Sequence, residues 1–560
     1  MRYGWQAQPM MKTLLVLLSL TIANAAFAAA DDPAQKVNQV FAAFGKPGSP
    51  GCVVGVIRNG SFIYRKAFGC ASLELGVPLT PESVFYMGSV SKQFTAASVV
   101  LASEQGYLSL DDDVHKYLPE LPDYGHPVTL RQMLHHTSGF RDFFDLIALS
   151  GRKAAELDSA ADLLKLIAQQ KGLNNVPGEE WIYSNSNYFL LGQVVGRATK
   201  KSLAQFAAEN IFRPLGMKHT LFYDDNTQIV PNRVAAYDGG KNGDFLVDWS
   251  TSYNIVGGGG LMSNIDDFLF WDRNFDANKL GKGTLIEQLG SPGALNNGNR
   301  INYALGLGLG KYRGLPTVEH SGANFGYRTE YLRFPKQRFS VIVLCNLSSS
   351  DPEALAHSVA DLYLERDFTS DPTPHPKSAL PGPENFAGTY LDPRTKTIYN
   401  FSANDGKLMG WGAVLERIDA NKFYDLQGDV ISFESKSGTM HASLPIPGEL
   451  YFSGDRVVPM QLSASELNRF VGNFHSEELG VTYALSVDNG RLILNMNNLR
   501  VPLNAASERE FYGRSIVLVF AKNGLEKERE PDSGHRAFDF KLFTQSARGI
   551  IFSRFVESSH

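Results

Sequence analysis

Apolar and polar positions alternate in a way that divides the chain into recognisable elements. Asp32-Pro33 predicts a helix start, and Val37, Val40, Phe41 and Phe44 then recur at helical spacing on one face. Cys52–Arg58 and Phe62–Ala67 read as strands joined at Asn59-Gly60, a pair suited to the positive φ angles of a tight hairpin turn. From Ser89 to about Phe270 the apolar spacing is mostly helical. Three strands follow, Thr317–His320, Tyr327–Phe334 and Phe339–Asn346, and Asp351-Pro352 opens a helix with Leu355, Val359 and Leu362 inward. This order predicts an α/β unit over residues 31–368: an antiparallel sheet flanked by helices, with a helical lobe and a cleft between the two.

The pattern changes after that. Residues 369–383 hold five prolines and few large apolar side chains, so they read as an extended linker. Beyond it the chain is strand-rich and repeats itself. Phe386-Ala387-Gly388-Thr389-Tyr390 matches Phe470-Val471-Gly472-Asn473-Phe474, and Tyr399, Ser402, Gly406 and Leu408 match Tyr483, Ser486, Gly490 and Leu492, all at an offset of 84. A constant offset over that many positions marks a duplicated unit. Residues 384–457 and 464–557 are therefore expected to form two small antiparallel β-barrels, lipocalin-like in outline. Near the end the offset grows to 100, between Phe452-Ser453 and Phe552-Ser553. The extra residues fall at 522–535, a stretch rich in carboxylates and without apolar periodicity. It reads either as a loop capping the cleft or as a solvated hairpin tip.

Composition narrows the function class. The 560 residues are 43% hydrophobic and 20% charged, which suits folded globular domains, and the net charge of −5 gives no basis for nucleic-acid binding. At the N-terminus Lys12 precedes an apolar run from Leu14 to Ala23, and Ala26-Phe27-Ala28 fits a cleavage site. Residues 1–28 thus read as a signal peptide, too short in its apolar run to span a membrane, and predict a periplasmic or secreted product. Three cysteines, Cys52, Cys70 and Cys345, are not a disulfide framework; Cys52 and Cys70 flank the hairpin and either pair or stay as buried thiols. The adjacent His135-His136 cannot share a helix face and read as structural. Gly257–Gly260 lacks the Gly-Lys-Ser/Thr ending of a phosphate loop, and Ser263 to Asp266 reads as a capped helix start.

Candidate chemistry lies in three triplets. Ser89 and Lys92, three apart at the start of a helical run, share a face, so the amine can reach the hydroxyl. Serine needs a base to become a nucleophile, and lysine serves once burial and a helix N-terminus lower its pKa. Tyr183-Ser184-Asn185 sits in a loop before a helix carrying Leu190, Leu191, Val194 and Val195. Tyr183, as tyrosinate, is a candidate proton carrier, and Asn185 a donor to a substrate carbonyl. His320-Ser321-Gly322 ends a strand along which substrate backbone can lie, and the N–H groups of Ser89 and Ala323 are a candidate oxyanion hole.

Together these triplets resemble the serine β-lactamase and penicillin-binding protein superfamily. The similarity is greatest to its class C β-lactamase, D-alanyl-D-alanine carboxypeptidase and D-aminopeptidase branch. The flanking text agrees: Gly88 before Ser89, Leu134-His135-His136-Thr137-Ser138-Gly139, Pro177-Gly178, and Gly259-Gly260-Leu261-Met262-Ser263 with Asp266. The resemblance covers about residues 32–367 and implies a β-lactamase/transpeptidase-like fold and a serine acyl-enzyme hydrolase. Ser89, Lys92 and Tyr183 would be catalytic, and Asn185, His320, Gly322 and Ala323 substrate-binding. It implies no metal and no cofactor. Class C β-lactamases usually carry lysine where this chain has His320, and histidine offers a β-lactam carboxylate only a partial charge near neutral pH. With the two barrels, that points to a D-aminopeptidase-like enzyme acting on small peptides or amides. A β-lactamase, an esterase or a non-catalytic binder of peptides or cell-wall fragments are the alternatives.

Overall fold

The structure, a computed structural model, describes residues 32–152, 159–240, 243–248, 255–369, 381–410, 413–424, 430–446, 449–497, 499–521 and 539–555. The leader at 1–28, most of the linker and the 522–535 insert lie outside these residues. The main elements of the α/β unit, in order, are α1 (Pro33–Val40), β1 (Cys52–Arg58), β2 (Ser61–Phe68), α2 (Lys92–Glu104), α3 (Phe143–Ser150), α4 (Asn185–Thr199), α5 (Ile265–Ala277), β3 (Gly308–Tyr312), β4 (Leu315–Asn324), β5 (Tyr327–Phe334), β6 (Phe339–Cys345) and α6 (Pro352–Leu364). The strands form one sheet in the order β3-β4-β5-β6-β1-β2, every neighbouring pair antiparallel.

Local chemistry accounts for the frame. Asp32 caps α1 through its side chain, and Val37 and Phe41 are fully buried. Asn59 and Gly60 take φ of 51° and 73°, the left-handed pair that a β1–β2 hairpin requires. Cys52 to Ile57 are buried throughout, so β1 lies between two layers. Val54 and Val56 face α1 and α6; Val53 and Ile57 face the helical lobe. β3 escaped the sequence reading because Gly308 and Gly310 break its alternation. The α5 cap is Asn264, one residue later than expected; its side chain accepts from Asp267 N.

The cysteines correct one expectation. Cys52 lies directly opposite Cys345 on β6, with Cα atoms 4.1 Å apart, and the two form a disulfide, leaving Cys70 free. On its other side Cys52 faces Phe68 of β2, so the hairpin carries Cys70 past it. The pairing is set by a strand 293 residues away, a distance at which sequence offers no register.

The duplicated region forms two closed eight-stranded barrels, the first from Gly388–Leu391 to Glu449–Arg456 and the second from Gly472–Ser476 to Ile550–Arg554. Equivalent residues of the repeat, Tyr390 and Phe474, Leu408 and Leu492, point into the barrel interiors. The two are not equivalent in packing. The first barrel closes on a core of its own, whereas the core of the second is continuous with that of the α/β unit. A buried ion pair ties the second barrel down: Arg141 Nη1 donates to Glu478 Oε1 at 2.7 Å, both side chains 3% exposed. The turn after Phe540–Phe543 adds a polar seam. The Ser546 carbonyl accepts from Asp142 N (2.9 Å) and Asn174 Nδ2 (3.0 Å), and the hydroxyls of Thr544 and Ser546 donate to Asp145. Tyr483 donates to the Leu149 carbonyl. Among the described residues no helix is long and apolar enough to cross a membrane.

Candidate active site

Ser89 stands in a single 3-10 turn, Gly88–Ser91, that leads into α2, and it alone of the four is partly exposed. Gly88 has φ of 53°, and a Cβ there would lie 2.8 Å from the Ala323 nitrogen, so only glycine lets β4 come this close. Ser91 is not a competing nucleophile: it is fully buried, donating to Gly88 O at 2.6 Å and accepting from Leu261 N.

One helical turn down, Lys92 is fully buried. Its Nζ lies 2.7 Å from the Gly258 carbonyl, 2.8 Å from Asn185 Oδ1 and 3.0 Å from Ser89 Oγ. Burial brings its pKa from 10.5 down to about 7, against the upward pull of the Asp142 carboxylate. The first two partners can only accept. A neutral amine therefore spends both N–H groups on them and turns its lone pair to the Ser89 hydroxyl. Tyr183 OH donates to Ser89 Oγ at 2.9 Å, and Lys92 Nζ sits 4.8 Å above the Tyr183 ring. Burial pushes the Tyr183 phenol above its ordinary range despite the Ser89 hydrogen bond. Of the two bases the sequence leaves open, Lys92 is the one that burial drives toward its unprotonated form, while burial favours the protonated form of Tyr183.

Neighbouring groups fix this geometry. Asp142, the N-cap of α3, accepts on Oδ2 from Asn185 N (2.5 Å) and Asn185 Nδ2 (2.9 Å), which leaves Asn185 Oδ1 facing Lys92. His136, held well below its usual pKa by burial, accepts from Ser184 N at 3.1 Å and packs its ring 4.4 Å from that of Tyr183. By sequence alone His136 and Gly258 read as structural, and Asp142 and Tyr303 do not stand out. The helix-cap pattern of Asp142 before Phe143 was the available signal.

The third triplet is placed differently from expectation. His320 Nδ1 lies 2.6 Å from the Ser321 carbonyl and must donate to it, so Nε2 accepts from Tyr303 OH at 3.1 Å. Burial and the nearby Lys92 lower its pKa to about 3. His320 is therefore neutral and does not carry the expected partial charge. A Cβ on Gly322 would fall 2.2 Å from Met87 O, so this glycine seats β4 against the Ser89 turn rather than lining the cleft. Ala323 does line it, with Ser89, Asn185, Gly258 and Gly259, in a space partly open to solvent.

Residues 37–364 match the family model described as Beta-lactamase. A D-aminopeptidase of Cereibacter sphaeroides (strain ATCC 17029 / ATH 2.4.9) is 27% identical over 444 residues, 79% of this chain and 82% of that one. A D-aminopeptidase of Brucella melitensis biotype 1 is 27% identical over 411 residues, 70% and 76% of the two chains. In fold, the chain is similar to the octameric penicillin-binding protein homologue from Pyrococcus abyssi (TM-score 0.53, 20% identity, 83% of this chain and 98% of that chain). It is also similar to the D-amino acid amidase from Ochrobactrum anthropi SV3 (TM-score 0.50, 22% identity, 60% and 99%).

Proposed function

The chain belongs to the Beta-lactamase family, and from that premise we propose a serine hydrolase of the D-aminopeptidase type, cleaving small peptides or amides through an acyl-enzyme on Ser89. The observation that carries this reading is the convergence on Ser89 Oγ of Lys92 Nζ at 3.0 Å and Tyr183 OH at 2.9 Å. Ser89 Oγ attacks the carbonyl as its proton passes to Lys92. The N–H groups of Ser89 and Ala323 hold the oxyanion. The leaving nitrogen takes its proton from the Tyr183 hydroxyl, which Lys92 resupplies. Water then attacks the acyl group, and the same groups act in reverse. Asn185 holds the amine in place through its side-chain oxygen.

The relatives named D-aminopeptidase support a D-residue substrate. Neutral His320 favours the same choice over a carboxypeptidase or β-lactamase. In its neutral form His320 gives a substrate carboxylate no fixed charge to meet. Export is part of the proposal: it rests on the leader pattern at 1–28 and on the Cys52–Cys345 disulfide, which suits an oxidising compartment.

The test is intact mass after incubation with a fluorophosphonate, on wild type and on Ser89→Ala. Wild type should gain one adduct and the variant none; an unchanged gain in the variant refutes the assignment. A hydrolysis panel of D- and L-aminoacyl amides, D-Ala-D-Ala peptides, a chromogenic cephalosporin and a short-chain ester then ranks substrates. The N-terminal residue of the product from periplasm or medium should follow Ala28.

A further inference from the structure

One helix supplies most of the apolar side chains that line the cleft. Phe143, Phe144 and Ile147, at the start of α3, turn toward the space above Ser89, and Ile255 also lines it. Phe143 is 4%, Ile147 6% and Ile255 8% exposed, whereas Phe144 is 44% exposed and packs tilted against Phe143 with ring centroids 4.4 Å apart. Together they give the cleft a mostly buried apolar wall with one large exposed ring, Phe144, at its rim.

The polar groups around it are already committed. Tyr86 OH accepts from Gly260 N at 2.8 Å and also bonds Asn324. Asn185 is spent on Asp142 and Lys92. Every lining residue among those described is uncharged. A charged side chain entering this space would lose its hydration and find no counter-ion, while an apolar one would lose only water contact.

The side of the scissile bond can be read from the same geometry. Tyr183, which serves the leaving group, does not line this wall, and neither do Tyr303 and His320 packed around it. Asn185 and Ala323 do. We infer that α3 and Ile255 form an acyl-side subsite for a large, uncharged apolar side chain, so that the enzyme prefers bulky apolar residues such as leucine or phenylalanine at the residue whose carbonyl Ser89 attacks. This inference rests on the acyl-enzyme reading given above.

The experiment uses the full chain and one leaving group throughout: D-aminoacyl p-nitroanilides of Ala, Val, Leu, Phe, Glu and Lys. From Ala to Leu or Phe, kcat/KM should rise about 10- to 100-fold, the range that burying a few apolar groups supplies in a pocket of this kind. Glu and Lys should fall to the level of Ala or below. Phe144→Ala should cut the Phe-over-Ala ratio by about 5- to 10-fold, and Phe144→Asp should raise the Lys-over-Phe ratio. Because Phe144 is exposed, both variants should melt near the wild-type temperature. A flat or inverted size series in wild type that a small fluorophosphonate still labels on Ser89 overturns the subsite and leaves the nucleophile standing. Ratios unmoved in both variants overturn it too. Absence of labelling in wild type refutes the acyl-enzyme reading itself, and the acyl-side assignment with it.

Discussion

The ionisation of Lys92 sets the pH at which Ser89 becomes reactive. With a pKa of about 7 the amine is half neutral at pH 7, about one-tenth neutral at pH 6 and about one-hundredth at pH 5. At its ordinary 10.5 the neutral fraction at pH 7 would be only about one in 3,000, so burial enlarges the competent population by about three orders of magnitude. The second-order rate of Ser89 acylation by an uncharged fluorophosphonate, followed from pH 5 to 9, reports this ionisation in the free enzyme. It should level off above about pH 8 and fall tenfold per unit below about pH 6. Asp142 pulls the Lys92 pKa upward, so Asp142→Asn should move the limb to lower pH. The same change leaves either Phe144 N or both Asn185 N–H groups without an acceptor, which should lower the plateau by the one to two decades that an unmatched buried donor costs. A limb near pH 9–10, or one that Asp142→Asn moves upward, would refute the assignment of Lys92 as the base.

Three further outcomes follow. Lys92→Ala and Tyr183→Phe should each lower kcat/KM by several orders of magnitude and the double variant by little more, since groups acting as one unit lose activity together; additive losses in the cycle would separate their roles. Glu478→Gln leaves Arg141 buried without its carboxylate and should destabilise the fold by about 3–5 kcal/mol, read as a lower denaturation midpoint. Glu330 is 2% exposed with Oε1 unpartnered, and burial, reinforced by Glu353, Glu319 and Asp351, raises its pKa well above 4.5. Since a raised folded pKa favours the protonated form, wild-type stability falls as pH climbs above the unfolded value, and Glu330→Gln should match wild type at pH 4 and exceed it increasingly at pH 6 and 8 in calorimetry.

How much of this was legible depends on the range of the interaction. Ser89 and Lys92 could be paired because three residues along a helix is a local relation. The barrels could be foreseen because a duplicated sequence repeats its inward positions, Tyr390 with Phe474 and Leu408 with Leu492. The sheet was read from its apolar runs except at β3, where Gly308 and Gly310 carry no side chain to alternate. Charge states were out of reach. That His320 is neutral and Tyr183 protonated follows from burial beneath Tyr303, His136 and α2, a product of tertiary packing. The Cys52–Cys345 bond and the hold of Asp142 on Asn185 likewise join segments far apart in the chain, where no periodicity speaks.

α3 has two masters. Its first turn walls the cleft through Phe143 and Phe144, while Asp142, Asp145 and the Leu149 carbonyl are bonded to the second barrel. A substitution in the Thr544–Ala547 turn, on a barrel that holds none of the reacting groups, reaches the wall and, through Asp142, the Asn185 that positions Lys92. Substrate preference can therefore shift through the appendage, and so can the setting of the base.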